Sequence, residues 1–95
     1  MLSNIPTDLD KLNKEDIDRE ILRVGIIAEL DAVNLYEQMA AKAQDNDIKK
    51  ILLDIAKEEK AHLGEFQTLL HMLDKEQVKE GEEGKKEVEE MLGEK

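Results

Sequence analysis

Residues 52–66, LLDIAKEEKAHLGEF, carry the clearest periodic pattern in this chain. Apolar residues recur through this stretch at alternating steps of three and four, as expected for a helix packed along an antiparallel neighbour. Two members of the series are polar, Glu59 and His62. They lie three residues apart and therefore stack on one face of a helix.

The same spacing continues on both sides of this stretch and returns earlier in the chain. The later series is Ile48, Leu52, Ile55, Glu59, His62, Phe66, Leu69 and Leu73, and the earlier one is Leu22, Ile26, Glu29, Val33, Tyr36, Ala40 and Ala43. We therefore predict an all-α fold, an antiparallel two-helix hairpin with a short C-terminal helix. Its first helix would run over 14–44, with Gly25 weakening it by about 1 kcal/mol relative to Ala. A second, capped by Asp47, would follow the turn at 44–47 and end near Leu73.

The positions of glycine and proline, which interrupt helices, divide the chain into three parts. Residues 1–13 contain the single proline and form an irregular lead-in with Asn13 as a plausible N-cap. Residues 14–74 form the hairpin. Residues 75–95 are charged and interrupted by glycines, which predicts either a short helix or a mobile acidic tail or linker.

Composition limits the class of protein and predicts a partner chain. The 95 residues include 24 acidic and 14 basic side chains, for a net charge of −10, which opposes binding to nucleic acid or a membrane surface. No cysteine, long apolar run or signal peptide is present, so we expect a soluble intracellular domain. Aromatic residues make up only 2% of the chain, which is too few for a substantial monomeric core. We expect a homodimer that completes a four-helix bundle.

The polar members of the two series fall at one height of the predicted hairpin. Glu29 lies about 16 residues before the turn, while Glu59 and His62 lie about 14 and 17 residues after it. A carboxylate buried in such a seam needs a cation or another partner. One glutamate plus a Glu-x-x-His motif is half of a di-iron carboxylate site, and a two-fold copy would complete it. These ligands suit iron, and Zn, Mn or Ca could substitute adventitiously.

The same residues also have structural explanations that involve no metal. A Glu-x-x-His pair arises readily by chance among 15 glutamates and two histidines. Such a pair can also be a buried polar contact that fixes helix register. Tyr36 is either core or a hydrogen-bonding residue beside the site. The third ligand at matching height, with no other polar residue in either series, favours metal.

Two stretches resemble a known family, the encapsulated ferritin-like proteins. They are AELDAVNLYEQMA at 28–40 and ILLDIAKEEKAHLGEFQTLLHMLD at 51–74. The resemblance is closest to the archaeal branch, in which this domain precedes an encapsulin shell domain. It implies a ferroxidase centre shared by two chains, with Glu29, Glu59 and His62 as metal ligands and Tyr36 as the site tyrosine. It further implies a decameric ring in the cytoplasm, inside an encapsulin nanocompartment whose shell holds the mineral.

The chain departs from the bacterial members of that family at three points. Acidic residues flank the first ligand in those proteins, whereas Ala28 and Asp31 stand here. Those proteins have a tryptophan directly before the site tyrosine, whereas this chain has Leu35. No cargo-loading peptide is recognisable after Gly84.

These observations predict a ferroxidase that oxidises Fe(II) with dioxygen or peroxide for iron storage, with Glu29, Glu59, His62 and Tyr36 as catalytic residues. Two alternatives remain at this stage. One is a rubrerythrin-like peroxidase on the same fold, although no cysteine is present for a second iron centre. The other is a non-catalytic helical dimerisation or adaptor module.

Overall fold

The computed structural model describes residues 14–93, which form three α-helices and no strand. They are α1 (Lys14–Lys42), α2 (Asn46–Leu73) and α3 (Lys75–Leu92). Helices α1 and α2 pack as an antiparallel hairpin, so the predicted all-α class, hairpin and C-terminal helix are confirmed. The lead-in with Asn13 lies outside the described residues, and the division into three parts stays a prediction.

The turn between α1 and α2 is tighter than the sequence predicted. Helix α1 ends at Lys42, and the cap of α2 is Asp45 rather than Asp47. One carboxylate oxygen of Asp45 accepts hydrogen bonds from the backbone N–H groups of Asp47 (2.8 Å) and Ile48 (3.0 Å). Asp47 instead lies in the first turn of α2, where its negative charge interacts favourably with the positive end of the helix dipole.

The hairpin core is thin and is shifted on α2 from the predicted series. On α1 the predicted positions Leu22, Val33 and Ala40 are buried. On α2 the buried residues are Ala56 and Leu70, each one position beyond a predicted one, whereas other predicted members are exposed: Ile48, His62, Leu69 and Leu73. Helix α2 therefore carries two adjacent apolar stripes. The stripe through Ala56 and Leu70 is buried against α1, whereas the stripe through Ile48, His62 and Leu69 is largely exposed.

Gly25 allows a close approach of the two helices just below the level of Glu29. A Cβ atom at this position would lie 3.1–3.2 Å from three ring atoms of Phe66. The sequence predicted only a local weakening of α1 here. The structure adds a steric reason for glycine, because the aromatic ring occupies the space that a methyl group would need.

Helix α3 continues from α2 after a single residue, Asp74, and projects away from the hairpin. It meets α2 only near their junction, and no described residue of α3 comes within 8 Å of α1 between Cα atoms. The described chain measures 46 × 45 × 20 Å. None of its helices combines the length and the apolar character needed to cross a bilayer.

Candidate metal centre

Antiparallel packing brings Glu29 of α1 beside Glu59 and His62 of α2. His62 Nδ1 lies 3.6 Å from Glu59 Oε2 and 3.8 Å from Glu29 Oε2. One ligand atom from each of the three residues lies within 4.8 Å of the other two. The three polar members of the predicted series therefore do converge, and among the described residues they are the only such group of three.

These distances fit the first coordination shell of a metal ion. A cation with ligands at about 2.1 Å holds any two of them roughly 3–4 Å apart. The two distances from His62 already lie in this range, so a small inward movement of the carboxylates would close the shell. Two carboxylates and one imidazole without sulfur are the donor set that iron and manganese accept.

Glu29 is poorly satisfied without a cation. Its side chain is only 17% exposed, and Oε2 is buried with no hydrogen-bond donor among the described residues. A hydrogen bond to the Glu59 carboxyl, which needs a proton on one of the pair, raises the pKa of Glu29 most. Burial and the charge of Glu59 raise it further, while His62 opposes this shift. A bound cation would supply the missing charge.

The cluster is closed towards the hairpin and open on one side. His62 is 47% exposed, whereas both carboxylates are largely covered. Four residues of α2 follow one another at seven-residue intervals and form one stripe: Ile48, Ile55, His62 and Leu69. Three ligands leave a metal incompletely coordinated, so a bound metal would need further ligands on the open side.

Tyr36 is not part of the cluster. It is half-buried and lies seven residues, about 10 Å, along α1 from Glu29. The side-chain hydrogen bonds of the described residues do not include Tyr36. Its assignment as a catalytic residue stays a prediction.

An ion pair beside the cluster was not foreseen. Lys60 Nζ lies 3.2 Å from Glu37 Oε2 and ties α2 to α1 next to Glu59. An antiparallel hairpin places residues at equal distances from the turn side by side. Glu37 and Lys60 are displaced from such a pairing by about six residues, and only their long side chains bridge the difference. Ala28 and Asp31, on either side of Glu29, are half-buried.

Comparisons with known proteins identify what the chain is similar to. The family model described as Rubrerythrin matches residues 20–93. A ferritin-like-encapsulin shell fusion protein of Pyrococcus furiosus is 55% identical over an alignment of 96 positions, which covers 98% of this chain and 28% of that protein. An encapsulin nanocompartment cargo protein of Myxococcus xanthus is 37% identical over 73 residues, covering 77% of this chain and 55% of that protein. The chain thus spans less than two thirds of either relative.

One solved structure is closely similar over nearly the whole chain. The crystal structure of the encapsulated ferritin domain from Pyrococcus furiosus superimposes with a TM-score of 0.84 at 55% identity. The match covers 98% of this chain and 97% of that one.

Proposed function

Because the chain belongs to the rubrerythrin family and to the encapsulated ferritin-like proteins, we propose that it is a ferroxidase. Its substrate is ferrous iron, oxidised to ferric iron at a di-iron site that two copies form across a homodimer interface. The observation that carries the proposal is the Glu29–Glu59–His62 cluster, with one carboxylate oxygen buried and unpartnered.

Each ligand has a distinct task in this proposal. Glu29 and Glu59 supply negative charge, which favours ferric over ferrous iron and so promotes loss of an electron. The imidazole of His62 binds through the nitrogen that faces both carboxylates. A two-fold copy doubles the set, and Glu29 or Glu59 bridges two iron ions. Tyr36 acts beside the site. Dioxygen or peroxide accepts the electrons.

The open side of the cluster and the names of the relatives support the assembly that we propose. Homodimers assemble into a decameric ring that is enclosed by an encapsulin shell in the cytoplasm, where the mineral is stored. Relatives named for an encapsulin shell fusion and for encapsulin cargo support this setting. The net charge of −10 argues against nucleic acid or membranes as further partners.

The decisive experiment is ferrous oxidation in air, followed by the absorbance of ferric iron. Glu59→Ala should reduce the rate to background, because it removes one ligand from each half of the site. Glu58→Ala is the matched control, since Glu58 is the adjacent, exposed glutamate on the same helix. Circular dichroism checks that both variants keep the helical content of the wild type. An unchanged rate in Glu59→Ala would refute the proposal.

The match to the Rubrerythrin family supports one second candidate, a peroxidase that uses the same metals to reduce peroxide. The two functions differ in the preferred oxidant. Ferrous protein mixed with equal concentrations of dioxygen or peroxide should react with both if it is a ferroxidase, whereas a peroxidase should react far faster with peroxide. A protein that oxidises no iron, and dimerises equally with and without chelator, would be a helical adaptor instead.

A further inference from the structure

Asp74 joins all three helices through its backbone and its carboxylate. Its backbone ends α2, with its N–H donating to Leu70 O at 2.8 Å. Its Oδ1 accepts a hydrogen bond from the backbone N–H of Gln77 at 3.0 Å and caps the start of α3. Its Oδ2 accepts a hydrogen bond from Arg23 Nη2 of α1, also at 3.0 Å.

Apolar packing does not determine the direction of α3. Its largest apolar side chains near the end, Met91 and Leu92, are among the most exposed in the described chain, and none of its residues is buried. Between its first turn and the hairpin lies an open cavity of about 420 Å³, whose lining includes Arg23, His71 and Gln77. Space at this corner would let α3 swing about the one-residue junction.

We infer that the Arg23–Asp74 contact is a latch that fixes the angle at which α3 leaves the hairpin. It is the only hydrogen bond or ion pair between α1 and the α2–α3 junction among the described residues. Because Asp74 is committed to the cap, its carboxylate is already oriented, and the guanidinium meets a fixed acceptor. This reduces the entropy that the ion pair loses on forming.

The charges around the latch favour its closed form. Asp74 is 11% exposed, and the hydrogen bond from the Gln77 N–H, aided by Arg23 and Arg19, holds the pKa of its carboxyl below the usual range. Arg23 is 44% exposed and also lies 3.6 Å from Glu20 of its own helix. When the latch opens, Arg23 still has that partner on α1, whereas α3 loses its tie to α1. The latch thus controls α3 without unfolding the hairpin.

The latch can be tested by measuring the distance between α2 and α3 within one chain. The chain has no cysteine, so Lys57→Cys and Glu87→Cys place one spin label on an exposed position of each helix. Labelled chains diluted with unlabelled protein report intrachain distances by pulsed electron paramagnetic resonance. The wild type should give a single narrow distance distribution.

Three variants separate the latch from the helix cap. Arg23→Gln should broaden the distribution and shift its mean. Asp74→Asn should do the same while keeping the α3 helical signal, because Asn caps a helix as well as Asp does. Arg19→Gln is the matched control, since Arg19 pairs with Asp16 on α1 itself and should leave the distribution narrow.

An unchanged distribution in Arg23→Gln, with helical content intact, would overturn the inference. A broad distribution in the wild type would overturn it as well. If Arg23→Gln lowers the helical content, Arg23→Lys keeps the charge and tests the same hydrogen bond. No arm of the experiment requires metal, so its result does not depend on ferroxidase activity.

Discussion

The carboxylate of Glu29 is destabilised in the metal-free hairpin. It is largely buried, one oxygen lacks a donor, and the neighbouring Glu59 raises its pKa. A raised pKa in the folded state means that folding favours the protonated form. This contribution to stability is fully present below the unfolded pKa of Glu and is lost as pH rises through the higher folded pKa. At neutral pH the residue therefore favours unfolding unless a cation neutralises it.

Glu29→Gln should accordingly stabilise the metal-free protein and remove its response to metal. Replacing the unsatisfied carboxylate is worth about 1 kcal/mol, which corresponds to a rise of about 4–8 °C in the thermal midpoint for a domain of this size. The midpoint is measured by circular dichroism at pH 7, with chelator and then with Mn²⁺. The wild type should gain stability from Mn²⁺ and the variant should gain little.

The pH dependence supplies the control for this variant. The advantage of Glu29→Gln over the metal-free wild type should grow as pH rises from about 4.3, the ordinary Glu value, towards neutrality. Glu58→Gln is the matched control, because Glu58 is an exposed glutamate of α2 outside the cluster. A variant less stable than the wild type at every pH would contradict the account of Glu29 as a strained ligand.

Helix α3 is the element held least by packing. Its 18 residues only slightly exceed the length of about 12–15 below which isolated helices are marginal in water, and it contains Gly81 and Gly84 in its interior. A Cβ at either glycine meets nothing within 4 Å. The Gly81→Ala and Gly84→Ala double variant should therefore increase helical content, since each substitution favours the helix by about 1 kcal/mol.

The measurement is the ellipticity at 222 nm, which reports helical content, during heating. The loss of ellipticity at low temperature, which comes from the weakly held α3, should become smaller in the double variant. Gly25→Ala is the contrasting variant, because the same gain in propensity is opposed by the ring of Phe66. A larger gain in helical content from Gly25→Ala than from the Gly81→Ala and Gly84→Ala double variant would contradict this prediction. It would show that the ring of Phe66 leaves room for a methyl group at position 25.

The periodicity of the sequence predicted the helices reliably. It predicted less reliably which faces of α1 and α2 pack against each other. On α1 the predicted series includes three buried residues, Leu22, Val33 and Ala40, and its other members, such as Ile26, are half-buried. On α2 two stripes overlap, and a 3.5-residue repeat fits either one. Ala56 is small, so the apolar pattern of the sequence gave little indication that it is buried against α1. The prediction placed the neighbouring and larger Ile55 in the buried series instead. The cluster was still found because Glu59 and His62 stand out as polar residues on either stripe.

The stripe of α2 that α1 leaves largely uncovered coincides with the open side of the metal cluster. Ile48 and Leu69, which are exposed, and Ile55, which is half-buried, share it with His62. Exposed apolar side chains in a line mark an interface, and a ferroxidase of the proposed kind needs ligands from a second copy at this place. One surface would therefore complete both the core and the site.

A charge in this stripe should separate the two copies and stop oxidation together. Leu69→Glu introduces a carboxylate one heptad from His62, so we expect loss of the dimer in analytical ultracentrifugation and ferrous oxidation close to background. Leu53→Glu is its matched control, because Leu53 is equally exposed, at 49%, on the same helix. It lies nine residues before His62, half a rotation around the helix axis, and its substitution should spare oxidation. A monomeric Leu69→Glu protein that still oxidises iron at the wild-type rate would show that one hairpin suffices, and the shared site would then be wrong even though the ligands were right.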